Sequence, residues 1–230
     1  MRLPRFVRPY GTSALLLEWE QRIDPAISAS VNAYARALRP YELVEECVPA
    51  YASLLVTHRG GRQAAYALRE LIFGLSPAEE QRSETVTHEL PVCYGGEFGP
   101  DLEDVSTHCS LPPEEVIGRH TAVTYRVYFL GFQPGFGFLG ELDASLEVPR
   151  RASPRTRVPA GSVGLAGRQT GIYPMDSPGG WQLIGRCPLP LLQTGPDTTR
   201  LRAGDRLRFY PITAADFTAL QQAPLPWPTR

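Results

Sequence analysis

The sequence predicts an α+β protein of two domains, a small ferredoxin-like α/β sandwich over residues 1–84 and a β-barrel over residues 85–230. Strand and helix signals alternate through the first part of the chain, whereas short strands and tight turns dominate the second. A polar segment that contains a proline separates the two parts. A chain of 230 residues is long enough for each domain to bury its own core.

The first part of the chain follows the order β-β-α-β-β-α, which is typical of a ferredoxin-like sandwich. Asp24 and Pro25 predict the start of a helix, because aspartate caps free amides and proline fits the first turn. That helix ends at Pro40, and a second helix runs from Gly60 to Gly74. The predicted strands cover residues 5–10, 14–19, 44–48 and 53–57.

The second part begins after a polar segment, residues 76–84, which is the predicted linker. Residues 85–94 alternate apolar and polar side chains and predict a strand. From Tyr125 onward, frequent glycine and proline between short apolar runs predict a closed or nearly closed barrel. Ser110 is the predicted cap of the second of three short helices, and Thr213 that of the third. The three helices cover residues 102–108, 114–119 and 214–222.

Composition argues against several classes of partner. The 23 basic and 24 acidic residues balance, which favours neither nucleic acid nor a membrane surface. No export signal and no apolar run of about 18 residues is visible, so we expect a soluble cytoplasmic protein. The four cysteines form no CxxC pair and are expected to be reduced thiols. His108 and Cys109 are adjacent and diverge, so no metal site is predicted.

The stiff, glycine- and proline-rich stretch from residue 125 to residue 190 is the predicted ligand site. Arg155 and Arg157 are two residues apart, so on one strand they would project to the same side and offer two guanidinium groups to an anion. The alternative is a solvated basic edge strand. Arg150 and Arg151 would diverge and are a poorer pair.

Other polar and aromatic residues of this stretch have two interpretations each. Gln169 lies between glycines that allow close approach to a ligand, and Thr170 adds a hydroxyl. Alternatively, both satisfy the backbone of their own loop. Phe132 and Phe136 either wall a pocket or fill the barrel, whereas Trp181 is expected in the core.

Histidine is the usual general acid or base, and His120 is the one histidine selected for a role in catalysis. His58, His88 and His108 are expected to be surface or packing residues. The phosphate-binding pattern GxxxxGK[ST] is absent, so this chain alone is not expected to bind ATP.

Long motifs carry a resemblance to a known family. They are PVCYGGEFGPDL at residues 91–102, LGFQPGF at residues 130–136, and a run over residues 149–186 that contains PRTRVPAGSVG, QTGIYP and SPGGWQLIGR. Over essentially its whole length the chain resembles the KipI-like family, also known as the B subunit of 5-oxoprolinase or allophanate hydrolase subunit 1. The family has a carboxyltransferase domain, and the resemblance implies a small α+β domain followed by a cyclophilin-like β-barrel. Phe138 departs from the tyrosine of many relatives.

The resemblance implies a subunit of an ATP-dependent 5-oxoprolinase that hydrolyses 5-oxo-L-proline, a small anionic substrate, together with partner subunits. ATP is expected to belong to the complex as a whole. Alternatives within the family are inhibition of a sensor histidine kinase and half of a biotin-dependent carboxyltransferase. The predicted catalytic residues are Gln169 and His120, and the predicted substrate-binding residues are Arg155, Arg157, Gly131, Phe132, Pro134, Gly135, Phe136 and Thr170.

Overall fold

The computed structural model describes residues 2–77, 86–193, 198–223 and 227. The chain forms two compact units, residues 1–83 and 84–230. The predicted domain boundary between residues 84 and 85, and most of the predicted linker, lie outside the described residues. Within the described ranges, no helix combines the length and the apolar character needed to cross a bilayer.

The first unit is a four-stranded antiparallel sheet in the order β1-β2-β4-β3 with two helices. This is the element order of a β-α-β-β-α-β unit whose last strand has moved to the front. The predicted order β-β-α-β-β-α is therefore confirmed. The elements are β1 (Phe6–Pro9), β2 (Ala14–Glu18), α1 (Pro25–Leu38), β3 (Val44–Pro49), β4 (Ser53–His58) and α2 (Gly61–Gly74).

The two helices of this unit begin differently. The Asp24 carboxylate accepts hydrogen bonds from the backbone N–H groups of Ala26, at 2.8 Å, and Ile27, at 3.2 Å, as the sequence predicts for an N-cap. Helix α2 instead follows Gly60, whose φ of 100° is left-handed, and no side chain caps its first turn. Its amides therefore keep their partial positive charge at the helix start.

The second unit holds the remaining elements. They are β5 (Thr87–Tyr94), α3 (Leu102–Cys109), α4 (Pro113–Ala122), β6 (Thr124–Leu130), β7 (Gly137–Leu139), β8 (Arg155–Val158), β9 (Ser162–Ala166), β10 (Gln169–Ile172), β11 (Ser177–Gly179), β12 (Gln182–Arg186), β13 (Arg206–Pro211) and α5 (Ala214–Gln222), with a 3₁₀ turn at Ala144–Leu146.

Seven of these strands close into a barrel in the order β10-β7-β6-β13-β5-β12-β9, which confirms the predicted barrel and the α+β class. Strand β13 pairs in parallel with β5 and antiparallel with β6, and the other neighbouring pairs of the barrel are antiparallel. Strands β8 and β11 form a separate two-stranded ribbon. Apolar residues from several strands, such as Leu90, Val127 and Leu165, are fully buried in one core cluster.

The predicted caps of the short helices differ in outcome. Ser110 is not the cap of α4, because it has a left-handed φ of 54° and ends α3 by donating its N–H to Ser106 and Thr107. Pro112 occupies the position before α4, and Pro113 is its first residue, where a missing N–H costs nothing. Thr213 caps α5 as predicted, in a reciprocal capping box with Asp216.

Candidate functional site

A buried aspartate organises the polar part of the site. Asp101 is 2% exposed and immediately precedes α3, yet its carboxylate does not cap that helix. Its Oδ2 accepts a hydrogen bond from the Leu183 N–H at 2.6 Å, and its own N–H donates to the Leu183 carbonyl at 2.9 Å. Asp101 thereby fixes the start of α3 to β12.

Two arginines converge on the other oxygen of this carboxylate. Arg155 Nη2 donates to Asp101 Oδ1 at 2.6 Å and Arg151 Nη1 donates to the same atom at 2.9 Å. The arginine side chains remain 23% and 34% exposed. Two guanidinium charges face one carboxylate, so the cluster keeps an excess positive charge that an incoming anion can neutralise.

The same cluster contains hydrogen-bonding atoms without partners among the described residues. Arg155 Nη1, Arg151 Nε and Gln182 Oε1 are buried and form no hydrogen bond there. The Gln182 amide nitrogen donates to the Pro149 carbonyl, which holds the side chain beside the arginine segment. Of these atoms, the two arginine nitrogens are donors and the Gln182 oxygen is an acceptor. An unpaired buried donor costs about 1–3 kcal/mol, so an anion that bonds to the two arginine nitrogens would remove this cost.

An aromatic cluster adjoins the arginines. Phe136 packs edge-to-face against Tyr173, with ring centres 5.2 Å apart, and against Trp181, at 5.5 Å. Burial raises the pKa of Tyr173, although a hydrogen bond from the Trp181 backbone and the charges of Arg150 and Arg155 oppose the shift. The phenol is therefore neutral beside the arginines. The burial of Trp181, at 5% exposed, agrees with the prediction that it lies in the core.

The predicted glycine loop connects β6 to β7 and presents one aromatic ring to solvent. Phe132 is 65% exposed and has a left-handed φ of 68°, which is uncommon for a bulky residue. The loop is closed by the N–H of Gly131 bonding to the Phe136 carbonyl at 3.2 Å. At Gly135, with φ of 79°, a Cβ would lie 2.6 Å from the Leu192 side chain. Pro134 lies between these positions in the same loop.

Gln169 begins β10 and is half-buried. Its register partner across the β9–β10 hairpin is Ala166, a member of the cluster that contains Phe136 and Trp181. No hydrogen bond of the Gln169 amide to a described residue is present, so the alternative in which it satisfies its own loop is not observed in this structure. Its role toward a ligand stays a prediction.

His120 and Thr170 lie inside the barrel instead of at its surface. Both are 0% exposed. Thr170 donates its hydroxyl to the Gly164 carbonyl at 3.1 Å, so it accepts from His120 Nε2 at 3.0 Å. His120 Nδ1 then accepts from the Tyr94 hydroxyl at 2.8 Å. Because both ring nitrogens are used internally, we assign His120 and Thr170 to positioning of the barrel strands, and their direct contact with a substrate stays a prediction.

The neutral state of His120 has a measurable consequence. Burial lowers its pKa to about 3, whereas the unfolded chain titrates near the ordinary value of about 6.5. The unfolded state binds more protons between these values, so stability falls as pH is lowered through this window. The loss from this residue by about pH 5 is on the order of 2 kcal/mol.

We expect His120→Gln to weaken this acid sensitivity, and urea unfolding at about pH 7 and pH 5 measures it. His108→Gln is the matched control, because His108 is exposed on α3. An identical pH response in wild type and His120→Gln would contradict the assignment.

Arg157 lies apart from the cluster around Asp101. It is 78% exposed and pairs with Asp176, and its Nε donates to that carboxylate at 2.8 Å. Arg155 and Arg157, which were expected to offer two guanidinium groups on one face, contact different carboxylates, which argues against a single site that uses both. Arg151, expected from the sequence to be a poorer candidate, is the actual partner of Arg155.

Sequence reasoning missed Asp101, Gln182 and Tyr173. In the sequence, Asp101 looks like a helix cap because it precedes α3. The structure shows that its side chain forms no hydrogen bond to the first turn of that helix. Its arginine partners lie 50 and 54 residues further along the chain. The available signal was a Gly-Pro-Asp segment in a chain with a separate arginine cluster.

No group of three or more histidine, cysteine, aspartate or glutamate side chains suited to a metal ion is found among the described residues. The polar chemistry described above rests on guanidinium, carboxylate, amide and phenol groups. These groups bind and orient anions, and they offer no exposed nucleophile paired with a base.

Comparisons with known proteins place the chain in a family. A family model described as carboxyltransferase domain, subdomain C and D, matches residues 5–201. The chain is 41% identical over 236 residues to the B subunit of 5-oxoprolinase from Bacillus subtilis (strain 168), covering 94% of this chain and 96% of that protein. It is 42% identical over 203 residues to the B subunit of 5-oxoprolinase from Escherichia coli O157:H7, covering 87% and 93%.

A solved structure supports the fold. The urea amidolyase of K. lactis superposes with a TM-score of 0.80 at 18% identity, over 94% of this chain and 15% of that protein. This likeness concerns the fold alone. The length of the family match and the identity to full-length relatives confirm the predicted resemblance. The chain belongs to the family of carboxyltransferase domains, subdomains C and D, that includes the B subunits of 5-oxoprolinase.

Proposed function

We propose that this chain is a subunit of an ATP-dependent 5-oxoprolinase, which with partner subunits hydrolyses 5-oxo-L-proline to L-glutamate. Two relatives that match nearly the whole chain are named as the B subunit of 5-oxoprolinase. The word subunit in those names supports an assembly with other chains. ATP is proposed as the cofactor of the assembly.

The observation that carries this proposal is the cluster of Arg151 and Arg155 on Asp101. The substrate is a carboxylate, and coupling lactam opening to ATP cleavage generates a second anionic group at the reacting centre. Planar guanidinium groups with unpaired donors suit both anions. Opening the lactam consumes one water to give glutamate, while ATP and a second water give ADP and phosphate.

Five residues of the second unit have proposed roles in this chemistry. Arg151 and Arg155 hold the anion, and Gln169 offers an amide to the lactam. Phe132 excludes water from the apolar part of the lactam ring, and the buried Phe136 supports it with ring centres 5.6 Å apart. These groups bind and orient, whereas activation by ATP is assigned to the complete complex.

The lysine content of the sequence supports the proposal that partner subunits take part. All 23 basic residues are arginines, so the chain has no lysine. A phosphate-binding GxxxxGK[ST] loop requires lysine, and so does attachment of biotin. We therefore propose that a partner supplies the binding site for ATP.

The direct test measures glutamate and phosphate release from 5-oxoproline and ATP. It compares this chain alone, its candidate partner subunits alone, and the reconstituted mixture. Activity in the mixture only is the expected result. No activity in any combination of folded, co-purifying subunits would contradict the proposal.

A second candidate function is half of a biotin-dependent carboxyltransferase, which the description of the matching family favours. Since the chain has no lysine, biotin must then arrive on a partner. Decarboxylation of carboxybiotin by the same reconstituted mixture, without ATP-dependent release of glutamate, would select this candidate.

A further inference from the structure

A cavity in the first unit has no role in the function proposed above. It has a volume of about 430 Å³ and lies between the β1–β2 hairpin, the end of β4 and the first turns of α2. Its apolar wall includes Leu15, Ala65 and the ring of Tyr66. A space of this size and lining is typical of sites for small molecules with an apolar body.

His58 lies at the base of this cavity. The residue is 2% exposed, and neither ring nitrogen has a hydrogen-bond partner among the described residues. An unpaired buried imidazole is costly, because each polar atom loses its bond to water without replacement. Because His58 lines the cavity, a group bound there is placed to supply one of the missing hydrogen bonds.

The charge around the cavity has one sign. Arg62 and Arg69 line it, and none of the described residues that line it is acidic. The two arginines and Ala65 and Tyr66 follow the spacing i, i+3, i+4, i+7, so they share one face of α2. A different face of the helix, formed by Ala64, Leu68 and Ile72, is buried in the core.

Neither arginine forms a salt bridge within the part of the chain that the structure describes. The guanidinium of Arg69 lies over the ring of Phe73, 5.5 Å from its centre. The neighbouring Arg59, by contrast, donates to Glu45 at 2.9 Å and does not line the cavity. The cavity thus faces two cations whose charge no carboxylate of the described residues neutralises.

The start of α2 adds a third positive contribution. Gly61 lines the cavity, and no side chain caps the first turn of this 14-residue helix. Uncapped amides at a helix start attract anions, and here they coincide with a buried unpaired histidine and two arginines.

We propose that this cavity binds a small organic carboxylate with an apolar ring. The carboxylate lies at the start of α2, where it bonds to the first-turn amides, Arg62 and His58. The ring lies against Leu15, Ala65 and Tyr66. The residues that line this cavity belong to the first unit, whereas Asp101, Arg151 and Arg155 belong to the second.

Benzoate is the probe of choice, and benzamide is its neutral counterpart of equal shape. The full-length chain, labelled with ¹⁵N, is titrated at low salt while the amides of Gly61, Arg62 and Gln63 are followed by NMR. We expect saturable shifts with a dissociation constant on the order of 1 mM for benzoate, and binding of benzamide at least about tenfold weaker.

Variants test which side chains contribute to the binding of benzoate. Arg62→Gln and Arg69→Gln are expected to weaken benzoate about tenfold each, and Arg59→Gln, the matched control, by less than about twofold. His58→Phe keeps the ring and removes its nitrogens, and it should also weaken binding. If that variant fails to fold, the two surface arginine variants still decide.

Three results would overturn the proposal. The first is the absence of saturable shifts at the α2 amides up to about 20 mM benzoate, which is well above the expected constant. The second is equal affinity for benzamide, and the third is an equal effect of Arg59→Gln and Arg62→Gln. The titration does not measure turnover of 5-oxoproline, so a failure to bind benzoate would not contradict the proposed function. Likewise, an inactive reconstituted complex would not contradict the benzoate site.

Discussion

Replacing Arg155 with glutamine is expected to lower turnover of the reconstituted 5-oxoprolinase complex by about 100-fold or more. Arg155 has a buried Nη1 without a partner among the described residues and holds Asp101 at 2.6 Å through Nη2. Glutamine removes the charge and the planar pair of donors that an anion requires. Asp101 retains Arg151 and the Leu183 N–H, so the fold is expected to survive.

Arg157→Gln is the matched control, since it removes one arginine from the same strand. Arg157 is exposed and pairs with Asp176, away from Asp101. We expect its turnover to stay within about threefold of wild type, because exposed ion pairs contribute little. Thermal unfolding of both variants separates loss of function from loss of structure. Equal losses of turnover in the two variants, with unchanged stability, would contradict the site around Asp101. That result would instead support the sequence expectation that Arg155 and Arg157 bind an anion together.

Gly99→Ala is expected to destabilise the second unit by about 3 kcal/mol or more. A Cβ at Gly99 would lie 2.0 Å from the Ile184 carbonyl oxygen and 2.7 Å from the Gly185 nitrogen. Both are backbone atoms of β12, so neither can rotate away. Relief requires moving the start of α3, and with it Asp101, which is held to Leu183 of the same strand.

Gly118→Ala provides the comparison, because a Cβ at this position of α4 meets nothing within 4 Å. Alanine is the better helix former by about 1 kcal/mol, so this variant should be slightly more stable than wild type. Urea unfolding of the two variants measures the contrast. A Gly99→Ala protein as stable as wild type would show that β12 and α3 can separate without cost.

Local chemistry explains which parts of the fold were predictable. The starts of α1 and α5 were placed correctly because Asp24 and Thr213 bond to amides two or three residues away. Ser110 misled because its residue type suits an N-cap, whereas in the structure it takes the left-handed φ at the end of α3. The insertion of β13 between β5 and β6 could not be predicted, because it depends on pairing across the whole unit.

In the candidate site, too, local sequence predicted some features, whereas others depend on the whole fold. Arg155 and the glycine loop were selected as members of one region, but the carboxylate that pairs Arg155 with Arg151 is 54 residues away in sequence from Arg155. His120 was selected for its chemistry, whereas its burial depends on how the barrel closes around it. Residue type indicates what a side chain can do, and only the fold determines whether a ligand can reach it.

The parallel pairing of β13 with β5 sets an order of events during synthesis. Arg206 of β13 pairs with Thr87 of β5, so the two paired strands are more than a hundred residues apart in sequence. Strand β13 completes the barrel and is the last barrel strand to leave the ribosome. Until then the edges of β5 and β6 have no strand between them. The first unit is complete much earlier and can fold while translation continues. A chaperone that binds exposed strand edges would therefore meet the nascent chain at β5 and β6.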